Sequence, residues 1–199
     1  MIKAFLLRHG RTQANVDYVY CGRTDLPLSA EGVEALKELR DRCTWPDISG
    51  FKVYTSGMRR TEETLAILYG NVTHQAVPGL REMDFGDFEM FSYDQLKDDP
   101  VYRQWCSGDN DRNLTPGGES GELMRQRVME AFRLLLSRNE DFLAVCHGGP
   151  IAAIMAEVFP DEDKNRFQWQ PKNGCGYMLE LDGTERKWYS VPLGGKNDV

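Results

Sequence analysis

FLLRHGRTQAN, Phe5 to Asn15, decides the reading of this chain. Three apolar residues, Phe5, Leu6 and Leu7, run straight into Arg8, His9 and Gly10. A continuous apolar run marks a strand buried on both faces, as in a parallel sheet. Such a strand carries a cation and an imidazole to the edge of the sheet, and Gly10 lets the backbone turn tightly behind them. His9 is therefore expected at a solvent-facing strand end. By itself the triplet means little; what matters is which other segments reach the same edge.

Two do. FKVYTS (51–56) reads as a second buried strand, followed by a helix over 58–69 that Gly70 and Asn71 stop. FLAVCHGGP (142–150) reads as a third, ending in His147, Gly148 and Gly149, with Pro150 suited to the first turn of a helix over 151–158. Between the first two strands, Ser29 is a good N-cap for a helix whose core face is Val33, Leu36, Leu39 and Cys43. A short strand is expected within 72–77, a capping box at Ser92 to Gln95, and a long amphipathic helix over 121–138. Strands over 175–181 and 186–191 flank an Asp182-Gly183 turn. Residues 88–118 show no core pattern and are expected as a substrate-covering excursion. The alternation predicts a three-layer α/β/α fold with a mostly parallel sheet, one domain over 1–199. Its ligand belongs beyond the carboxyl ends of the strands.

Composition narrows the function classes. The net charge is −7, from 24 basic and 31 acidic residues, which argues against nucleic-acid and anionic-membrane partners. No apolar run approaches a membrane span, and the N-terminal one is too short for a signal peptide. The five cysteines are odd in number and lack a CxxC, so neither a disulfide framework nor a zinc site is indicated. The three histidines, 9, 74 and 147, have no metal-ligand spacing, and no metal or other cofactor is expected. A cytoplasmic protein with free thiols is the expectation.

At the shared edge meet Arg8, His9, Arg60 and His147, with Glu82 on a loop nearby. Two guanidiniums can fork onto a phosphoryl group, where charge spreads over the equatorial oxygens. A neutral imidazole is a competent nucleophile near neutral pH. A carboxyl group must then protonate the leaving oxygen and later take a proton from water. Asp84, Asp87 and Glu89 stand close to Glu82 as alternatives. Arg11 and Arg23 either extend the positive field or are simply solvated.

These residues resemble the histidine phosphatase, or phosphoglycerate-mutase-like, superfamily. LLRHGRTQAN is similar to its RHGxTxxN signature, and CGRTDLPLSAEG to its GxxDxPL segment. YTSGMRRTEET resembles SxLxRAxxT, which selects Arg60 over Arg59, although Gly57 and Thr61 depart from the usual residues. LREMDFGDFE and AVCHGG resemble the family's acid loop and second histidine segment. The resemblance implies that His9 is a nucleophile forming a phosphohistidine. It implies that Arg8, Arg60 and His147 bind the phosphoryl group and that Glu82 is the general acid/base. Asn15, the Cys21-Gly22 backbone and Gly148 would line the site.

Glu82 and His147 are only 65 residues apart, closer than in the family's mutases, which points to a metal-independent phosphomonoesterase acting on a small phosphorylated metabolite. FGDFEM, YRQWC and PGGES resemble the alpha-ribazole phosphatase branch, implying alpha-ribazole 5′-phosphate as substrate, with Trp105 or Tyr93 stacking on its heterocycle. The alternatives are a 2,3-bisphosphoglycerate-dependent mutase and a phosphate-binding module without turnover.

Overall fold

The computed structural model describes residues 1–109 and 111–192. Six strands form one sheet in the order β3-β2-β4-β1-β5-β6. They are β1 (Ile2–Arg8), β2 (Lys52–Thr55), β3 (Gln75–Ala76), β4 (Phe142–Cys146), β5 (Gly176–Asp182) and β6 (Glu185–Val191). The first four are mutually parallel; β5 and β6 run antiparallel at one edge.

The period-2 alternation of the central strands divides the core in two. Phe5 and Leu7 of β1, with Leu143 and Val145 of β4, pack under α2 (Ala30–Arg42) and α3 (Arg59–Tyr69) through Leu36, Leu65 and Leu68. Ala4 and Leu6, with Phe142, Ala144 and Cys146, pack under α6 (Gly121–Leu136) and α7 (Gly148–Val158) through Val128, Phe132, Ile151 and Met155. The chain therefore leaves β1 toward one face and β4 toward the other. Two adjacent parallel strands that diverge in this way open a crevice at their carboxyl ends.

Several expected boundaries move. The helix after β4 begins at Gly148, not Ile151, because His147 keeps extended backbone and the helix starts directly behind it, with Pro150 inside the first turn. The strand expected within 72–77 shrinks to Gln75–Ala76, an exposed edge that pairs only with β2. Ser29 caps α2 by accepting from the Gly32 amide, as its sequence position predicts. Residues 88–118 do have a core, contrary to their pattern. Phe88, Leu96 and Tyr102 are buried against Tyr20, Phe85 and Trp105. These side chains come from a 3-10 turn (Gly86–Phe88), α4 (Tyr93–Leu96) and α5 (Pro100–Cys106), elements too short to show a period. The four-residue α1 (Gln13–Val16) completes the helices used below.

Candidate functional site

Strand register sets the centre of the site. Arg8 pairs with Cys146, so the next residues of β1 and β4, His9 and His147, stand side by side. Their ring centroids are 5.1 Å apart. Ser56, the residue after β2, donates its amide to the Val145 carbonyl and so reaches the same level. One turn later α3 delivers Arg60.

His9 is only 5% exposed, so its strand end is not solvent-facing as expected. Its Nδ1 lies 2.6 Å from the Gly10 carbonyl. A carbonyl can only accept, so Nδ1 carries the proton and Nε2 keeps its lone pair. Burial and the neighbouring Arg60 and Arg8 charges push the His9 pKa well below its ordinary value. The ring is thus neutral, in one tautomer, with one basic nitrogen uncommitted.

His147 is fully buried, and burial with the Arg60 charge holds it neutral too. Its Nδ1 accepts from Arg60 Nε at 3.3 Å, and its Nε2–H donates to Ser56 Oγ at 2.8 Å.

The two arginines are held by carbonyls rather than by acids. Arg60, 1% exposed, donates Nη1 to the Thr24 carbonyl at 2.9 Å and Nη2 to the Gly22 carbonyl at 2.8 Å. Arg8 donates Nη1 to the Pro171 carbonyl at 2.7 Å, and its buried Nε has no acceptor. Among the described residues neither forms an ion pair with a carboxylate. A buried donor without a partner costs about 1–3 kcal/mol. Two adjacent guanidiniums, Arg60 buried and Arg8 half-buried, with no carboxylate in contact, form a site for an anion. Arg59, by contrast, is an exposed partner of Glu63 at 2.8 Å.

Glu82 faces the same cleft. Its Oε1 accepts from the Met83 amide at 3.0 Å and its Oε2 from the Gly149 amide at 3.1 Å, which fixes the plane of the carboxyl group. A Cβ at Gly149 would stand 2.2 Å from Oε1, so only glycine lets Glu82 approach the start of α7. Arg127 of α6 supports this loop by donating to the Gly79, Arg81 and Glu82 carbonyls while paired with Glu119.

The cleft, about 600 Å³, is lined by Arg8, His9, Asn15, Cys21, Arg60 and Glu82 at one end and by Tyr20, Phe85, Trp105 and Ala152 further along. Asn15 commits its Oδ1 to Thr12 and Asn173. Burial pushes the Cys21 thiol up, which keeps it protonated. Gly22 and Gly148 do not line the cleft. Gly22 stands behind Arg60, and a Cβ at Gly148 would meet the Arg8 guanidinium at 3.1 Å. Trp105 lines the cleft and Tyr93 does not. Neither Arg11 nor Arg23 lines it; Arg23 reaches Asp84 and the Gly117 carbonyl instead. His74 is remote, paired with Glu62 at 2.6 Å. Burial pushes the Cys146 thiol up to about 12.

Sequence reasoning groups Glu89 with the spare acids, but it organises the site. Its Oε1 accepts from the amides of Gly22, Arg23 and Phe85, and its Oε2 from Thr24. The Gly22 and Thr24 carbonyls in turn hold Arg60. Glu89→Gln replaces one acceptor oxygen with a donor facing amide donors. It is expected to destabilise the protein by about 1.5–3 kcal/mol and to raise KM for phosphomonoesters. Unchanged melting and unchanged KM in this variant would remove Glu89 from the chain of support.

The neutral imidazoles carry a stability signature. In the unfolded chain a histidine takes its proton near 6.5; folded His9 and His147 resist it. The unfolded state then binds more protons just below that pH, so stability falls as pH falls through it. Two sites give a slope of up to about 2.7 kcal/mol per pH unit. His74, raised by the Val72 carbonyl and Glu62, acts in the opposite sense but lies at the surface. Thermal melting from about pH 7 to about pH 5.5 is expected to shift downward steadily; a flat profile would show that the rings are already charged.

With this geometry in view, comparisons with known proteins are informative. The family described as histidine phosphatase superfamily (branch 1) matches residues 4–191. The adenosylcobalamin/alpha-ribazole phosphatase of Escherichia coli (strain K12) is 29% identical, with 98% of this chain and 100% of that protein covered. Human 6-phosphofructo-2-kinase/fructose-2,6-bisphosphatase 4 is 32% identical over 76% of this chain but only 32% of its own length. Among solved structures, the alpha-ribazole phosphatase from Shigella flexneri superposes with a TM-score of 0.81 at 26% identity, covering 96% of both chains. Phosphoglycerate mutase from Bacillus anthracis str. Sterne shares the fold, with a TM-score of 0.75 at 18% identity over 96% of this chain and 92% of that one. The match over nearly the whole sequence places this chain in branch 1 of the histidine phosphatase superfamily.

Proposed function

We propose that this histidine phosphatase hydrolyses a small phosphomonoester through a phosphohistidine on His9, and that its substrate is alpha-ribazole 5′-phosphate. The observation that carries the reaction is the pair of guanidiniums, one buried and one half-buried, held by carbonyls and without an ion-paired acid, beside an imidazole whose Nε2 lone pair is uncommitted.

In the first step His9 Nε2 forms a bond to phosphorus as the P–O ester bond breaks. The Gly10 carbonyl holds Nδ1–H and stabilises the positive charge that develops on the ring. Arg8 and Arg60 face the equatorial oxygens, where the transferring group carries its charge. Glu82 gives a proton to the departing oxygen. In the second step water attacks phosphorus, Glu82 takes its proton, the P–N bond breaks, and inorganic phosphate leaves.

The leaving group is read from the other end of the cleft. Tyr20 packs against Phe85 and Trp105, with ring centroids 4.9 and 5.8 Å away. Small residues, Ala152, Ala153 and Ala156, line α7 where it borders the cleft. An aromatic wall beside small side chains suits a flat heterocycle. The relative's name adds the same substrate class. Alpha-ribazole 5′-phosphate is expected to show kcat/KM about 10–200-fold above ribose 5-phosphate, the range an apolar contact supplies. Equal values would set the heterocycle aside. Transfer to a second hydroxyl of phosphoglycerate in the same panel would identify a mutase.

Glu82→Gln separates acid catalysis from binding. Its kcat/KM is expected to fall about 10²–10⁴-fold for alkyl phosphates and far less for p-nitrophenyl phosphate, whose leaving group needs no proton. Equal losses on both substrates would move the acid elsewhere, to Asp84 first.

A further inference from the structure

The backbone that carries Glu82 is held by a side chain from another element. Among the described residues, Glu82 and Met83 make no backbone-to-backbone hydrogen bond. The 3-10 turn before them, Pro78–Leu80, ends without a helix to follow it, so carbonyls are left to be satisfied from elsewhere. Arg127 of α6 collects them, and all five of its N–H groups are spent. Nη1 donates to the Gly79 and Arg81 carbonyls, both at 3.0 Å. Nη2 donates to the Glu82 carbonyl at 3.3 Å and to Glu119 Oε2 at 2.8 Å, and Nε donates to Glu119 Oε1 at 2.9 Å. Glu119 closes the other end. Its Oε2 accepts from the Asp84 amide at 3.1 Å, and its own amide donates to the Asp84 carbonyl at 2.8 Å. One ion pair therefore grips the chain on both sides of the Glu82 side chain. The seat is tight: a Cβ at Gly79 would stand 2.7 Å from the Ala131 side chain, one turn further along α6.

This mount sets what the carboxyl group can reach. The Met83 amide moves with the loop, but the Gly149 amide belongs to α7 and stays behind. A loop that slips on α6 parts Oε2 from Gly149 and displaces the carboxyl group within the cleft. Arg8, His9 and Arg60, set by β1 and α3, keep their places. A displacement of about 1 Å is enough to cost on the order of 10²-fold in a transfer step. Accordingly, we propose that Arg127 and Glu119 are positioning residues for proton transfer, docking residues 79–84 on α6 at the depth from which Glu82 reaches the ester oxygen. Neither side chain lines the cleft, so neither acts on substrate directly. The inference rests on the phosphomonoesterase reading above, with Glu82 as its acid.

The test is a leaving-group comparison on the whole protein carrying Arg127→Lys or Glu119→Gln. Lysine keeps the charge but has three donors where five acceptors wait. Glutamine keeps the shape, but both Glu119 oxygens accept, so either orientation of the amide sets an NH2 group against a donor. kcat/KM reports the steps up to the phosphoenzyme, where an alkyl phosphate needs the acid and p-nitrophenyl phosphate does not. Both variants are expected to lose about 10-fold or more on an alkyl phosphate and to stay within about twofold on p-nitrophenyl phosphate, which also reports an intact phosphoryl site. In the Glu82→Gln background, Arg127→Lys should cost nothing further on the alkyl substrate, because both changes act through one group. Equal losses on the two substrates, or an unchanged alkyl value, overturn the inference. So does full additivity with a Glu82→Gln variant that is itself selective between the substrates. If Arg127→Lys is selective and Glu82→Gln is not, the docked loop stands and the assignment of the acid to Glu82 falls instead.

Discussion

His9→Ala is expected to lower kcat by about 10⁴-fold or more, since loss of the nucleophile removes the covalent route altogether. The residual rate comes from binding and electrostatic stabilisation, which Arg8 and Arg60 still supply. The fold should survive. The variant loses one hydrogen bond to the Gly10 carbonyl and leaves a small space beside His147, together about 1–3 kcal/mol. Strand β1 keeps its pairing with β4 and β5 on both sides, because that pairing is made by backbone. Two measurements separate chemistry from stability. Rapid quench of the wild type into alkaline detergent after mixing with a 32P-labelled phosphomonoester should trap an acid-labile, base-stable phosphoenzyme that the variant lacks. Circular dichroism should give the variant a normal spectrum. A variant that retains turnover or labelling would transfer the nucleophile to another group, and the His9 assignment would be lost.

Much of this arrangement is legible in the sequence because it obeys one rule. Buried parallel strands deliver the residues at their carboxyl ends to a single edge, so Arg8-His9, Ser56 and His147 can be brought together before any coordinates are seen. The pairing of Arg8 with Cys146 then sets the two imidazoles side by side. Other parts are illegible for physical reasons. Periodicity does not separate Arg59 from Arg60; one turn of helix puts the first in water beside Glu63 and the second among carbonyls, and only the family resemblance distinguishes them. The role of Glu89 depends on a loop more than sixty residues earlier in the chain, and nothing local to FGDFEM announces it. The burial of His9 escapes the sequence because a strand end looks open until two guanidiniums and a second imidazole close around it. The small core of residues 88–118 escapes it because its members sit on elements of three, four and seven residues.

Arg60→Ala carries the second large effect, and it tests how the site is assembled rather than which atom reacts. The expected loss in kcat/KM is about 10²–10³-fold, or about 2.7–4 kcal/mol, as for removal of one fixed donor from a transition state. The loss has two physical origins. Three of the five guanidinium N–H groups are committed, to Gly22, Thr24 and His147, and the remaining two are available to phosphoryl oxygens. Truncation removes those two donors and also releases the loop that they depend on. Arg60→Lys is therefore not expected to rescue, because a single ammonium cannot satisfy both carbonyls and still present a fork to phosphate. Free guanidinium added to Arg60→Ala should restore part of the rate, since the cavity keeps its two carbonyl acceptors. Arg59→Ala is the matched control: an exposed i,i+4 pair contributes about 0.3–0.5 kcal/mol and no donor to the cleft, so kcat/KM should stay within about twofold of wild type. If Arg59→Ala shows the larger loss, the anion lies on the solvent side of α3. In that case the carbonyl-held guanidiniums behind it, Arg60 and Arg8, would be supports of the fold rather than ligands of phosphate.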